Sequence, residues 1–346
     1  MPAIFGTNYR RDDLLRKTGN VSQLGGTRLV ELQEGPERGV RAIDFDTGTG
    51  FRFTVLPDRG MDVFSASWRG RSLCWHSPAG VAAPAFYEPQ GLGWLRTFPG
   101  GLVVTCGLTQ AGTPGVDGTE ELGLHGRASC IPARNVSHGT RWEGDECALF
   151  AQGTVVEASI FRPQITLTRT VTARLGEHRL FIHDEVENIG YAPCPHMIVY
   201  HCNIGFPVLD DGSRLISPTE SVRPLNAEAQ ADADYARFGG PERGYGERVY
   251  DHTLKPGPDG MVRVALVNEA FDGGRGIGVY LRYSHEQLPR FTEWKMLGEG
   301  TYVVGMEPGN SSVTGRLAAR DKGELAVLEP HERRVYDLEI GLERGA

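Results

Sequence analysis

Two stretches of this 346-residue chain place proton-carrying side chains where strand patterning calls for apolar ones. In HMIVYHCNIGFPV (196–208), alternate residues put Ile198, Tyr200, Cys202, Ile204 and Phe206 on one face. The other face carries Met197 and Val199, and then His201 and Asn203, just before Gly205 and Pro207. Burying two polar side chains without partners costs about 1–3 kcal/mol each. The spacing therefore predicts a concave, partly wet face, which is where a ligand sits. In TYVVGMEPGN (301–310) the same alternation groups Thr301, Val303, Gly305 and Glu307 against Tyr302, Val304 and Met306. Pro308 holds Glu307 extended at the strand end, and Gly305 leaves open space beside the carboxylate. An imidazole and a carboxylate in one groove form a set capable of general acid/base catalysis.

Other stretches supply candidate binding groups. His125 in ELGLHGRAS is followed by Gly126, so a ligand could approach the backbone there. Asp58, Arg59 and Asp62 surround Gly60 in LPDRGMDV, Arg96 lies in GWLRTFPGG, and Trp294 and Lys295 lie in FTEWKMLGEG. Aromatic and cationic residues beside glycine suit sugar stacking and hydroxyl binding. Each also has a plainer reading: a surface turn histidine, a hairpin ion pair, a solvated turn. A different chemistry would use His76 (from LCWHSPAG), His125, His201 and Glu307 as ligands of a divalent ion such as Mn or Zn, in a sugar isomerase, epimerase or lyase. No close-spaced His-x-His pair supports that set. A non-catalytic carbohydrate-binding module is the third reading, with Glu307 only an acceptor.

The elements that must position these residues read as strands. Alternating or β-branched runs such as FRFTV, ASIFRPQITLTRTVTARL and RRVYDLEIGL recur along the chain, and 46 Gly and 21 Pro are spread evenly between them. Helical spacing is convincing only near RRDDLLRKTGN, and weaker in NAEAQADADYARFGG. Strands at close spacing without intervening helices predict an all-β protein, a large antiparallel β-sandwich with few short helices. No composition shift marks a linker, so 1–346 reads as a single domain. Residues 1–20 form an N-terminal extension, and 218–248 is a loop excursion or lid. The formal charge is −8, with both signs interspersed, which disfavours nucleic acid and anionic membrane as partners. The N-terminus lacks a signal-peptide core, and the six scattered cysteines suit a reduced, cytoplasmic setting. Edge strands leave room for a homodimer. Walker A, Rossmann and Gly-x-Ser-x-Gly signatures are missing.

Together the motifs resemble the aldose 1-epimerases, also called galactose mutarotases. VYHCNIGFPVLDDGSRL is similar to that family's histidine-bearing strand, GLHGRAS to its Leu-His-Gly element, and GMEPGNSS to its late glutamate strand. TRTVTARLGEHRLFIHDEVENIG, including Asn188, resembles the strands ahead of the histidine, and LAVLEPHERRVYDLEIGL the last two strands. The order is kept from about residue 20 to the end. The nearest likeness is to an uncharacterised, aldose 1-epimerase-like branch. The resemblance implies a galactose mutarotase-like supersandwich, a small carbohydrate as partner and no cofactor. It implies that Glu307 is the base at the anomeric hydroxyl and His201 the acid at the ring oxygen. His125 would bind near that oxygen, and Arg96 would match the family's substrate-binding arginine. Two departures stand out. Tyr200 precedes the histidine where the family has Asn, and FPGGLVVTCGL replaces its Gly-Asn-Arg element.

Overall fold

A computed structural model describes residues 1–343. Three antiparallel sheets make up most of it. The largest has eight strands, in the order Arg134–Glu143, Glu146–Ala158, Gln164–Arg174, Arg179–Asn188, Arg333–Glu343, Ile277–Ser284, Met261–Asn268 and Arg214–Ile216. The second runs Thr219–Pro224, Arg248–Leu254, Arg290–Gly298, Thr301–Gly309, Cys194–Ile204 and Ala326–Leu328, and Val104–Leu108 also pairs with Cys194–Ile204. A five-stranded sheet is built from residues 26–72. The few helices are short. Arg11–Leu15 lies where the helical spacing predicted it, and Ala227–Ala231 is a single turn capped by Asn226.

Period-two patterning explains the packing. Leu149, Ala151 and Val155 face inward from one strand, and Ile165, Leu167 and Val171 from the next. They join Phe51 and Phe53 of the five-stranded sheet and Ile198, Tyr200 and Cys202 of the second sheet in one apolar cluster. The other face of Cys194–Ile204 is also covered. Met197 and Val199 pack with Trp94, Phe98 and Cys106 in a second cluster. A strand buried on both faces needs no polar alternation, so its two polar residues stand out all the more. Phe206, grouped with the inward residues by spacing, is 64% exposed, because the strand stops at Ile204.

A buried ionic network ties the three sheets together. Arg169 donates two hydrogen bonds to Asp184, at 2.8 and 2.6 Å, and a third to Asp62 at 2.8 Å. The Tyr200 hydroxyl donates to Asp184 (2.7 Å), and the Thr105 hydroxyl and N–H donate to Asp62 (2.6 and 3.0 Å). Burial lifts the Asp62 carboxyl to about 6 against the pull of Arg169. This network fixes the strand that carries His201 and its neighbour Val104–Leu108.

Segment 218–248 is more ordered than its composition suggests. It begins with the edge strand Thr219–Pro224, and it ends by placing Glu247 beside the cleft described below. Residues 1–20 likewise dock through Ile4 and Leu14 into the main core. Among the described residues, no helix is long and apolar enough to cross a membrane.

Candidate active site

His201 and Glu307 lie on neighbouring strands, Cys194–Ile204 and Thr301–Gly309, which pair antiparallel with Asn203 opposite Gly305. Both side chains project from the face away from the main core. His201 Nε2 and Glu307 Oε1 are 3.2 Å apart, with side-chain exposures of 6% and 3%. The two groups are thus in direct contact across the paired strands.

Gly305 makes this approach possible. A Cβ at that position would stand 2.6 Å from Glu307 Oε1, 3.0 Å from Trp294 Cβ and 3.3 Å from His201 Cε1. Gly305→Ala is therefore expected to keep the fold, by circular dichroism, but to displace the carboxylate and lower turnover by at least about tenfold, the cost of roughly 1.4 kcal/mol in the transition state.

His125 arrives from a different part of the chain. It sits at φ 57°, followed by Gly126 at φ 73°, where a Cβ would lie 2.2 Å from Gln110 O. Three backbone bonds hold this tight turn: His125 N–H to Gly112 O, Gly107 N–H to His125 O, and Arg127 N–H to Gly107 O. The turn aims the imidazole at His201, with ring centroids 5.6 Å apart. Aromatic rings form the walls. Trp94 stacks on Phe98 at 4.4 Å and lies 4.7 Å from His125, while Trp294 meets His201 edge-on at 5.5 Å. Trp294 Nε1 donates to Glu247 (2.9 Å), and Trp94 Nε1 to Ser129 (3.2 Å). The resulting cleft, of about 410 Å³, has room for a monosaccharide.

Desolvation dominates the electrostatics. It pushes the Glu307 carboxyl up to about 8, helped by the nearby Glu247 carboxylate. It pulls His201 down to about 3, with His125 adding to the effect, and His125 down to about 4. Burial thus favours the uncharged form of each partner, a protonated carboxyl beside a neutral imidazole.

Several residues singled out in the sequence do not reach the cleft. Asp58 pairs with Arg41 at 2.6 Å. Arg59 is buried beneath the wall, donating to the carbonyls of Ser129, Ala82 and Thr97, so it supports the cleft without lining it. Arg96 is 75% exposed on the outer side of the turn that carries Trp94, 3.4 Å from Glu88. Lys295 follows Trp294 in a strand and so faces the opposite side, where it binds Asp232 and the Asp234 carbonyl. Asn203 lies under His201, donating to Gly101 O and His201 O. His76 stacks on Phe64 at 4.4 Å, away from the cleft. The four-residue metal set is therefore not assembled, and among the described residues no group of three His, Cys, Asp or Glu is placed to hold a metal ion.

The cleft also uses residues the sequence reading passed over: Trp94, Phe98, Asn226, Glu247, Thr113 and Thr314. Trp94 and Phe98 flank Arg96 in the quoted GWLRTFPGG, and their aromatic character was the available signal. Glu247 carried none, because only folding returns it to the sheet.

The sandwich has the galactose mutarotase-like fold. The chain is a member of the family described as a domain of unknown function (DUF4432), whose model matches residues 37–342. It is similar to a Klebsiella pneumoniae protein provisionally named as an aldose 1-epimerase, with 26% identity, TM-score 0.87, and coverage of 94% of this chain and 87% of that one. The same fold occurs in a galactose mutarotase-like protein from Clostridium acetobutylicum (12% identity, TM-score 0.63, covering 93% and 99%). It also occurs in galactose 1-epimerase from Lactobacillus acidophilus (11%, 0.61, covering 93% and 100%). A search of curated proteins finds no match.

Proposed function

We propose that this cleft interconverts the anomers of a monosaccharide or a derivative of one, opening and reclosing the ring by proton transfer. The observation that carries the reading is the buried contact of His201 with Glu307 on the floor of an aromatic-walled cleft. Ring opening takes a proton from the anomeric hydroxyl and gives one to the ring oxygen. With the resting proton on Glu307, the carboxyl supplies the ring oxygen while His201 Nε2 accepts from the hydroxyl. Reclosure runs the same transfers backwards, with the roles exchanged. The resemblance implies the opposite initial roles, and the pair's direct contact lets a single proton serve either assignment. These transfers need no group beyond the two side chains. Trp94, Phe98 and Trp294 offer faces for sugar C–H surfaces, and Glu247, Asn226, Thr113 and Thr314 offer hydroxyl partners.

The test is anomer exchange, followed by NMR or polarimetry, over a panel of free, acidic and keto sugars. Exchange at one sugar, abolished in a His201 variant, supports the reading; wild-type exchange in that variant sinks it. The pH profile follows from the one-proton resting state. Activity is expected to be flat in the neutral range and to fall as pH rises past about 8, where Glu307 loses its proton. It is also expected to fall as pH drops toward about 3, where His201 gains one.

Charge sets a further expectation. The Glu247 carboxylate lines the cleft beside Glu307, whose carboxyl burial keeps protonated, and no Lys or Arg does so among its described lining residues. Phosphorylated or uronic sugars should therefore be turned over at least about tenfold more slowly, in kcat/KM, than their neutral counterparts.

A further inference from the structure

We propose that Asn203 fixes the proton of His201 on Nδ1, reserving Nε2 for Glu307 and the substrate. For its part in turnover, this rests on the reading above. Asn203 and His201 are two residues apart in one strand, so their side chains leave the same face. Asn203 is fully buried and does not line the cleft, so it acts through His201 as a positioning residue.

Its amide orientation is decided by the backbone. Nδ2 donates to Gly101 O at 3.0 Å and to His201 O at 2.9 Å. Flipping the amide would set its oxygen against two carbonyl oxygens, so Oδ1 must be the other atom. That oxygen is buried and has no hydrogen-bond partner, and His201 Nδ1 is buried and likewise has none. Leaving both unpaired is costly in a water-excluded site. One atom can only accept, and the other is free to donate if it carries the proton. A hydrogen bond from Nδ1–H to Asn203 Oδ1 would satisfy both, and the Asn203 side chain is close enough to His201 to act on its protonation. The Asn203 side chain also favours the protonated state of His201, opposing the effect of burial. With Nδ1–H committed to Asn203, the lone pair of the neutral ring lies on Nε2, 3.2 Å from the Glu307 carboxyl that holds the resting proton. The imidazole is thereby prevented from presenting an N–H to Glu307 and leaving its basic nitrogen buried behind it.

The experiment is ¹⁵N NMR of the histidine-labelled full chain at neutral pH, with the His201 signals assigned by their loss in His201→Asn. The expected wild-type spectrum shows a protonated Nδ1. Asn203→Leu should shift His201 toward the Nε2–H form and lower kcat by at least about tenfold at nearly unchanged KM. An unprotonated Nδ1 in the wild-type protein overturns the proposal, and this result does not depend on whether the leucine variant folds. A protonated Nδ1 that survives Asn203→Leu overturns it too. A protonated Nδ1 that depends on Asn203, found without anomer exchange on any sugar, supports the assignment and removes the functional reading instead.

Discussion

Glu307→Gln is expected to lower anomer exchange by about 10²–10⁴-fold, and His201→Asn by a similar factor, with the fold retained in both. Each variant leaves a neutral, nearly isosteric group in place, so hydrogen bonding in the cleft survives while one of the two proton transfers is lost. The double variant should be little worse than either single one, since the two groups handle one shared proton and act as a unit. Exchange spectroscopy on the sugar that the wild-type protein turns over gives the rates directly, and a loss below threefold would remove Glu307 from the chemistry.

The same substitution has a stability signature of known sign. Folding raises the Glu307 carboxyl from 4.5 to about 8, so the native state prefers it protonated. Its contribution to stability is complete below the unfolded value of 4.5 and is lost as pH climbs through about 8. Gln mimics the protonated acid and does not ionise. Glu307→Gln is therefore expected to match the wild-type Tm below about pH 4.5, to exceed it by a growing margin from there to about pH 8, and to keep a constant margin above that. Stability surrendered at an active site in this way is a common trade. His201 runs the other way. Its folded value is depressed to about 3, so its contribution is present above 6.5 and is lost as pH falls toward 3.

Arg169→Leu is expected to destabilise the protein by about 3–5 kcal/mol, read as a lowered urea midpoint at unchanged slope. Removing the guanidinium leaves Asp184 and Asp62 both buried, with only hydroxyl and amide donors to offset their charge. Arg169→Lys should recover only part of the loss, because an ammonium cannot reproduce the fork that binds both oxygens of Asp184 while reaching Asp62. A change below about 1 kcal/mol for the leucine variant would show that the network adds little to stability. The network touches Tyr200, next to His201, so it also stiffens the strand that presents the imidazole.

The pattern of the site strands was legible in the chain. His201 and Glu307 were visible because they interrupt apolar alternation, and Gly305 because it removes a side chain beside a carboxylate. Those signals are local, carried by the period of two. Arg59, Asp58 and Lys295 misled for a related reason. A charged residue beside glycine or an aromatic looks the same from the sequence whether it faces a ligand, a backbone carbonyl or a partner carboxylate. Their partners lie far away in the chain: Ala82, Thr97 and Ser129 for Arg59, Arg41 for Asp58, and Asp232 and Asp234 for Lys295.

The amino-acid sequence alone determined the strand-rich architecture, the face on which His201 and Glu307 lie, and the likeness to mutarotases, since alternation and motif order are properties of neighbours along the chain. Only the tertiary structure decided that the two groups touch, that Trp94, Phe98 and Glu247 complete the cleft, and that His76 and Arg96 stay outside it. Strand register and loop return bring together residues a hundred or more positions apart, and the burial that results favours the uncharged forms of His201 and Glu307.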